Sequence, residues 1–205
     1  MTSKLNVGHA AGVEVVRPAK PASDQLTPHG RFVVEHWRDG RKIAEYAMPN
    51  YITDEGRQRL LEVMFHGGTA ITSWWMGLVS SASFTAYAQA DCYAQIGGTN
   101  GWTEFTNYTD DGNSNSASTR PAWGAGAATV NTHVAQVTNA TTAVFDITNS
   151  GTVKGLFIVG GAAGCQTKGD NAASGGRLWA AAAFTAGDVA VQNGDQLKVT
   201  YTVTA

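Results

Sequence analysis

The side chains in this sequence that could do chemistry are few, and their spacing argues against most of the reactions they could support. Histidines stand at His9, His29, His36, His66 and His133, with none in the HExxH or HxH spacing that sets two imidazoles on one metal. His36 and His133 fall in strand-like runs, where a surface or hydrogen-bonded histidine is the expectation. The stretch from Val159 to Lys168, VGGAAGCQTK, has the glycines and lysine of a phosphate loop. Its glycine-to-lysine spacing is wrong, however, and Gly169 follows where Ser or Thr would hold magnesium, so it reads as an inter-strand loop. Gly124-Ala125-Gly126 lacks the third glycine and the following helix of a dinucleotide fingerprint. No GxSxG nucleophile elbow occurs.

The oxygen-rich run Asp110-Asp111-Gly112-Asn113-Ser114-Asn115 resembles a cation loop. An EF-hand places Gly sixth and Glu twelfth, and counted from Asp110 those positions are Asn115 and Pro121, so a solvated turn is expected. The acidic pairs Asp54/Glu55 and Asp110/Asp111 are neighbours in sequence, not two carboxylates set across a cleft. Cys92 and Cys165 are too few for a disulfide framework and form no CxxC, so two buried or half-buried thiols are expected, with a bridge left open. Neither catalytic residues nor a metal or cofactor is expected, and the chain is not expected to be an enzyme. The remaining candidates are aromatic. Most tryptophans lie in apolar strands and read as core. Trp102 and Trp123 flank loops and are the candidates for exposed aromatic contacts, as a carbohydrate platform would use.

The elements that would have to position any site are mainly strands. Charged residues make up only 15% of the 205-residue chain, against about 25% in soluble domains. Small and polar residues take their place, as in strands joined by many turns. Net charge is −2 and the basic residues are scattered, which argues against a nucleic-acid or anionic-membrane surface. The opening residues lack an apolar signal-peptide core, and no run approaches a membrane span, so synthesis in the cytoplasm as a soluble chain is expected.

A hairpin is expected where Asp39-Gly40 separates the Phe32–Trp37 run from Ile43, Tyr46 and Met48. A helix follows at about residues 53–66. Thr53 is its cap, Asp54 and Glu55 sit at its positive end, and Leu60, Leu61, Met64 and Phe65 recur at helical spacing before Gly67-Gly68. Trp74 to Val79 reads as a buried strand. Residues 80–101 carry little pattern beyond a short helical turn near 87–93, and Trp102 to Tyr108 alternates like a strand. Strands are expected at Val130–Val137, Ala143–Ile147, Val153–Val159, Leu178–Phe184 and Leu197–Val203. In the last, Leu197, Val199, Tyr201 and Val203 share one face. The fold class is mainly β: an antiparallel, jelly-roll-like β-sandwich with one α-helix, spanning residues 30–205.

Residues 1–29 differ in kind. They hold Pro18, Pro21 and Pro28 and one short apolar stretch, Val13 to Val16, interrupted by Glu14. Proline favours extended backbone, and so small a stretch cannot offset its own ordering entropy, so an extended N-terminal arm held by a partner surface is expected. Val13, Val15, Val16 and Arg17 are its candidate contact residues.

Several segments resemble small structural proteins of tailed bacteriophages. The likeness rests on Asp54-Glu55-Gly56 with Leu60-Leu61 after a hairpin, on Trp75-Met76-Gly77-Leu78, on Thr119-Arg120-Pro121, and on the closing GDQLKVTYT from Gly194 to Thr202. It covers roughly residues 30–205, and its motifs are turn and core motifs. The resemblance implies a virion protein, with the sandwich on the outer shell as a capsid decoration or cement protein. The arm would run along the major capsid protein, another virion subunit or a sister copy in a homo-oligomer, a trimer being favoured. A tail, collar or fibre-attachment subunit is the alternative, and a carbohydrate-binding adhesin the second. No nucleic-acid or membrane partner is expected.

Overall fold

Asp39 and Gly40 both adopt positive φ, 50° and 71°. That geometry matches the right-handed twist of paired strands, and it joins β1 (His29–Arg38) to β2 (Arg41–Ile52). In the computed structural model, residues 28–82, 84, 86–96, 102–111 and 116–205 are described. Along them follow α1 (Asp54–Phe65), β3 (Trp74–Ser80), β4 (Glu104–Phe105), β5 (Tyr108–Asp111), β6 (Thr129–Asn131), β7 (Val134–Thr138), β8 (Ala143–Ile147), β9 (Gly151–Gly160), β10 (Arg177–Ala183), β11 (Val189–Val191) and β12 (Gln196–Thr204).

These strands form an antiparallel β-sandwich. In one sheet β1 lies between β2 and β12, and β12 pairs with β8 along its first half and β7 along its last. β5 extends this sheet beyond β8, and β6 extends it beyond β7. In the other sheet β9 lies between β3 and β10, with β4 on the far side of β3 and β11 pairing the start of β9. Tyr51 and Ile52 at the end of β2 pair with Ala181 and Ala180, so the hydrogen-bond network turns one corner without a break. Pro49 is tolerated because β2 meets β10 only there, leaving most of its outer edge without a strand partner among the described residues.

Between the sheets, Phe32, Val34, Leu197, Val199 and Tyr201 pack against Met76, Leu78, Leu156, Ile158 and Ala180. The alternation expected of β12 is present: Leu197, Val199 and Tyr201 are buried, and the residues between them are partly exposed. β9 is buried on both faces instead. Phe157 and Val159 point away from the main core into a second one, with Val79, Tyr93, Ile96, Trp102, Cys165 and Leu178. The described residues of 84–96, which carry little sequence pattern, help cover this second core through Phe84, Tyr87, Tyr93 and Ile96. Their only helical element is a 3-10 turn at Tyr93–Gln95, at the end of the expected position.

Two expectations are corrected. The strand at 130–137 is a hairpin, because Thr132 and His133 take positive φ, 47° and 67°, and form its turn; His133 is therefore a turn residue. The Trp102–Tyr108 strand is broken into β4 and β5. No helix among the described residues is long and apolar enough to cross a membrane.

The helix begins where Thr53 accepts from the Gly56 N–H, and Thr53 Oγ1 also donates to the Leu178 carbonyl. Gly67, at φ 71°, follows its end. Thr53→Ala removes the cap and leaves buried backbone groups short of a partner. The expected loss is about 1–2 kcal/mol in urea unfolding, with an unchanged slope.

Candidate functional site

The sequence candidates separate in the structure. Val13, Val15, Val16 and Arg17 lie outside the described residues. Trp102 and Trp123 are not exposed: their relative accessibilities are 1% and 7%. Trp102 is closed over by Tyr87 and Phe157, at ring-centroid distances of 5.2 and 5.6 Å. Trp123 packs edge-on to Tyr201 at 5.3 Å, because residues 121–123 run beside β3. A loop-flanking position in sequence does not give exposure here: Trp102 is enclosed in the second core, and Trp123 packs into the core between the sheets.

The polar groups resolve into two buried networks. Arg120 lies across Glu104 in a two-pronged contact, Nε to Oε1 at 2.8 Å and Nη2 to Oε2 at 2.7 Å. It also donates to the carbonyls of Cys165 and Asp170. Glu104 accepts in addition from the Gly169 N–H and the Tyr108 hydroxyl. Burial works against the Arg120 charge, but Glu104 more than offsets it and the guanidinium pKa is raised. Lys168 lies over the Tyr108 ring and donates to the Thr106 and Tyr108 carbonyls; burial lowers its pKa. Every strong donor and acceptor of this group is spent on holding chain segments together.

In the second network, Asp195 accepts from Arg38 Nε at 2.7 Å and Nη2 at 2.8 Å, from the Gln192 N–H, and lies 2.8 Å from His36 Nε2. Burial would raise the Asp195 pKa. The Arg38, Gln192 and His36 contacts outweigh it and hold the carboxyl well below its usual range. His36 is thus a buried, hydrogen-bonded histidine tying β1 to the turn before β12. Cys92 and Cys165 are both free thiols, partly exposed and buried respectively. Among the described residues no group of His, Cys, Asp and Glu is arranged to hold a metal ion.

What remains open is apolar. A groove of about 300 Å³ runs between α1 and the edge of the sandwich. Leu60 and Val63 form its helix wall, Val137 and Val203 its strand wall, and Trp74, Trp123 and Trp179 also line it. Arg59 sits at its rim, where Nη2 donates to the Thr69 carbonyl and Nη1 lies 3.5 Å from Glu62; its Nε and the Trp123 Nε1 are buried with no acceptor among the described residues. Buried N–H groups in folded proteins are nearly always paired. Beside the groove, Leu61, Met64 and Phe65 of α1 are 52, 64 and 78% exposed. The helical spacing of these residues was legible in the sequence, but the face they make is only partly covered. On the other side of residues 69–73, a polar cleft of about 540 Å³ is lined by Arg59, Trp75, Gln166 and Arg177 among others.

No family model, no curated protein and no solved structure matches this chain.

Two outcomes test these networks. Arg120→Met strands the Glu104 carboxylate and is expected to cost about 3–5 kcal/mol in urea unfolding, while Arg120→Met combined with Glu104→Met recovers much of that loss. For Asp195, a folded-state pKa below the unfolded value means its stabilisation is present above about pH 4 and fades as pH falls below that. Asp195→Asn is therefore expected to be less stable than the parent at pH 7, with the difference narrowing on acidification in pH-dependent urea melts.

Proposed function

We propose that the chain is a structural subunit of a tailed-phage virion, a decoration or cement protein that lies on the outer capsid shell and reinforces it through its N-terminal segment. The observation that carries this reading is the uncovered apolar surface on an otherwise well-packed sandwich. Leu61, Met64 and Phe65 on α1 and Val130 and Val134 on the β6–β7 hairpin are exposed, and no described residue fills the tryptophan-lined groove. Exposed apolar residues and an open apolar groove mark association surfaces. The likeness of residues 30–205 to phage structural proteins supports the same reading.

The mechanism is assembly. The sandwich supplies the body of the subunit, and the arm supplies a tethered contact. Once one contact forms, a tethered second contact is effectively intramolecular, so shell subunits are held together without a new core. A tail, collar or fibre-attachment subunit would use the same surfaces at a different copy number. The adhesin reading loses its two tryptophans, because both are buried.

The test is the position and copy number of the chain in purified particles, by imaging and quantitative gel. A decoration protein is expected at hundreds of copies over the shell. About a dozen copies confined to one vertex would assign a tail or collar position instead, and absence from particles would sink the proposal.

A further inference from the structure

We propose that the groove between α1 and the sandwich edge is the receptor for the N-terminal arm of a second copy of this chain, with Val13, Val15 and Val16 as the seated side chains. The inference rests on the assembly reading above only in taking the arm as a contact element.

The groove has the chemistry of a site for an extended apolar peptide. Its walls are Leu60, Val63, Val137 and Val203, with Trp123 and Trp179 also lining it. An extended segment brings what the groove lacks: apolar side chains to cover its walls. In the arm the only apolar cluster is Val13 to Val16.

The place where the arm leaves the domain argues for a neighbour's groove. Pro28 lines a cleft with Ile52 and Arg57 at the start of α1. Gly30 pairs with Val203, a groove residue. The exit therefore lies at the edge of the groove, within a few residues of it. The valines are much farther along the chain. Between Val16 and Pro28 stand twelve steps, with prolines at Pro18, Pro21 and Pro28. At about 3.1 Å per residue for proline-rich backbone this spacer reaches about 37 Å. A domain of this size is about 40 Å across. A spacer of that length is long enough to cross the domain and reach the groove of an adjacent copy. Reciprocal exchange of this kind closes a symmetric oligomer.

The test uses the full chain in solution. A photo-crosslinking residue is placed at Val15, and heavy- and light-isotope chains are mixed before irradiation. The expected result is crosslinks from Val15 to peptides carrying Leu60–Val63 or Trp123, joining heavy to light chains. Light scattering should give an oligomeric mass for the parent. Val15→Asp combined with Val16→Asp should reduce it to the monomer mass, with an unchanged circular dichroism spectrum and melting temperature. Crosslinks confined within single chains would mean that the arm covers its own groove, and would overturn the proposal. So would a monomeric parent, or crosslinks that avoid the groove. If heavy–light crosslinks form but the protein is absent from particles, the virion reading fails and arm exchange stands.

Discussion

One buried ion pair organises the half of the molecule that has the least regular structure. Arg120 and Glu104 are both almost wholly removed from water. An ion pair in that position is costly unless its remaining hydrogen-bonding groups are filled. Here they are filled by loops. The Cys165 and Asp170 carbonyls take the other guanidinium protons, while the Gly169 N–H and the Tyr108 hydroxyl take the remaining carboxylate lone pairs. The guanidinium also lies over the Phe157 ring in the second core. The short strands β4 and β5, residues 119–121 and the 163–170 loop thus converge on two side chains. None of these segments is long enough to hold its own register, so the pair supplies what strand length does not.

That constraint explains how a sandwich sheet can be buried on both sides. The pattern in β9 runs from Leu156 to Gly160 without exposure. Alternate residues face the other sheet, and the rest face a cover of loops. A loop cover can exclude water only if its backbone polar groups are satisfied. The Arg120–Glu104 network satisfies several of them, and Trp102, edge-on to Phe157, supplies the apolar bulk. This is also why Trp102 is not available at the surface; Trp123 is buried in the core between the sheets.

What the sequence made legible follows the same division. Local rules were sufficient where an element's pattern reflects one partner: the Asp39-Gly40 turn, the Thr53 cap and the alternation of β12 are each readable from a few residues. They fail where burial comes from distant chain. The 84–96 cover has no period of its own. The turn at Thr132-His133 uses positive φ without glycine, so it carried no turn signal. Arg120 and Glu104 are sixteen residues apart, and nothing in that spacing marks them as partners. The groove was half legible: the helix that forms its wall was expected, but that its apolar face would stay partly open depends on where the helix is attached.

That attachment is made almost entirely by the first turn of α1. The Thr53 N–H donates to the Trp179 carbonyl, and the Asp54 N–H donates to the Gln89 carbonyl. The Glu55 carboxylate accepts from the N–H groups of both Leu178 and Tyr93. At Gly56 an added Cβ would come within 2.8 Å of the Trp179 carbonyl oxygen, so only glycine allows the helix so close to β10. Beyond that turn the helix rests on the sandwich through Leu60 and Val63 at the groove wall, while Leu61, Met64 and Phe65 face outward. Polar and backbone contacts at one end thus fix the helix firmly enough that its apolar residues at the other end need not be spent on holding it. A helix secured by its apolar stripe would have closed the groove. Securing it by its cap leaves that stripe, and the tryptophan-lined channel beneath it, open to an apolar segment from outside the domain.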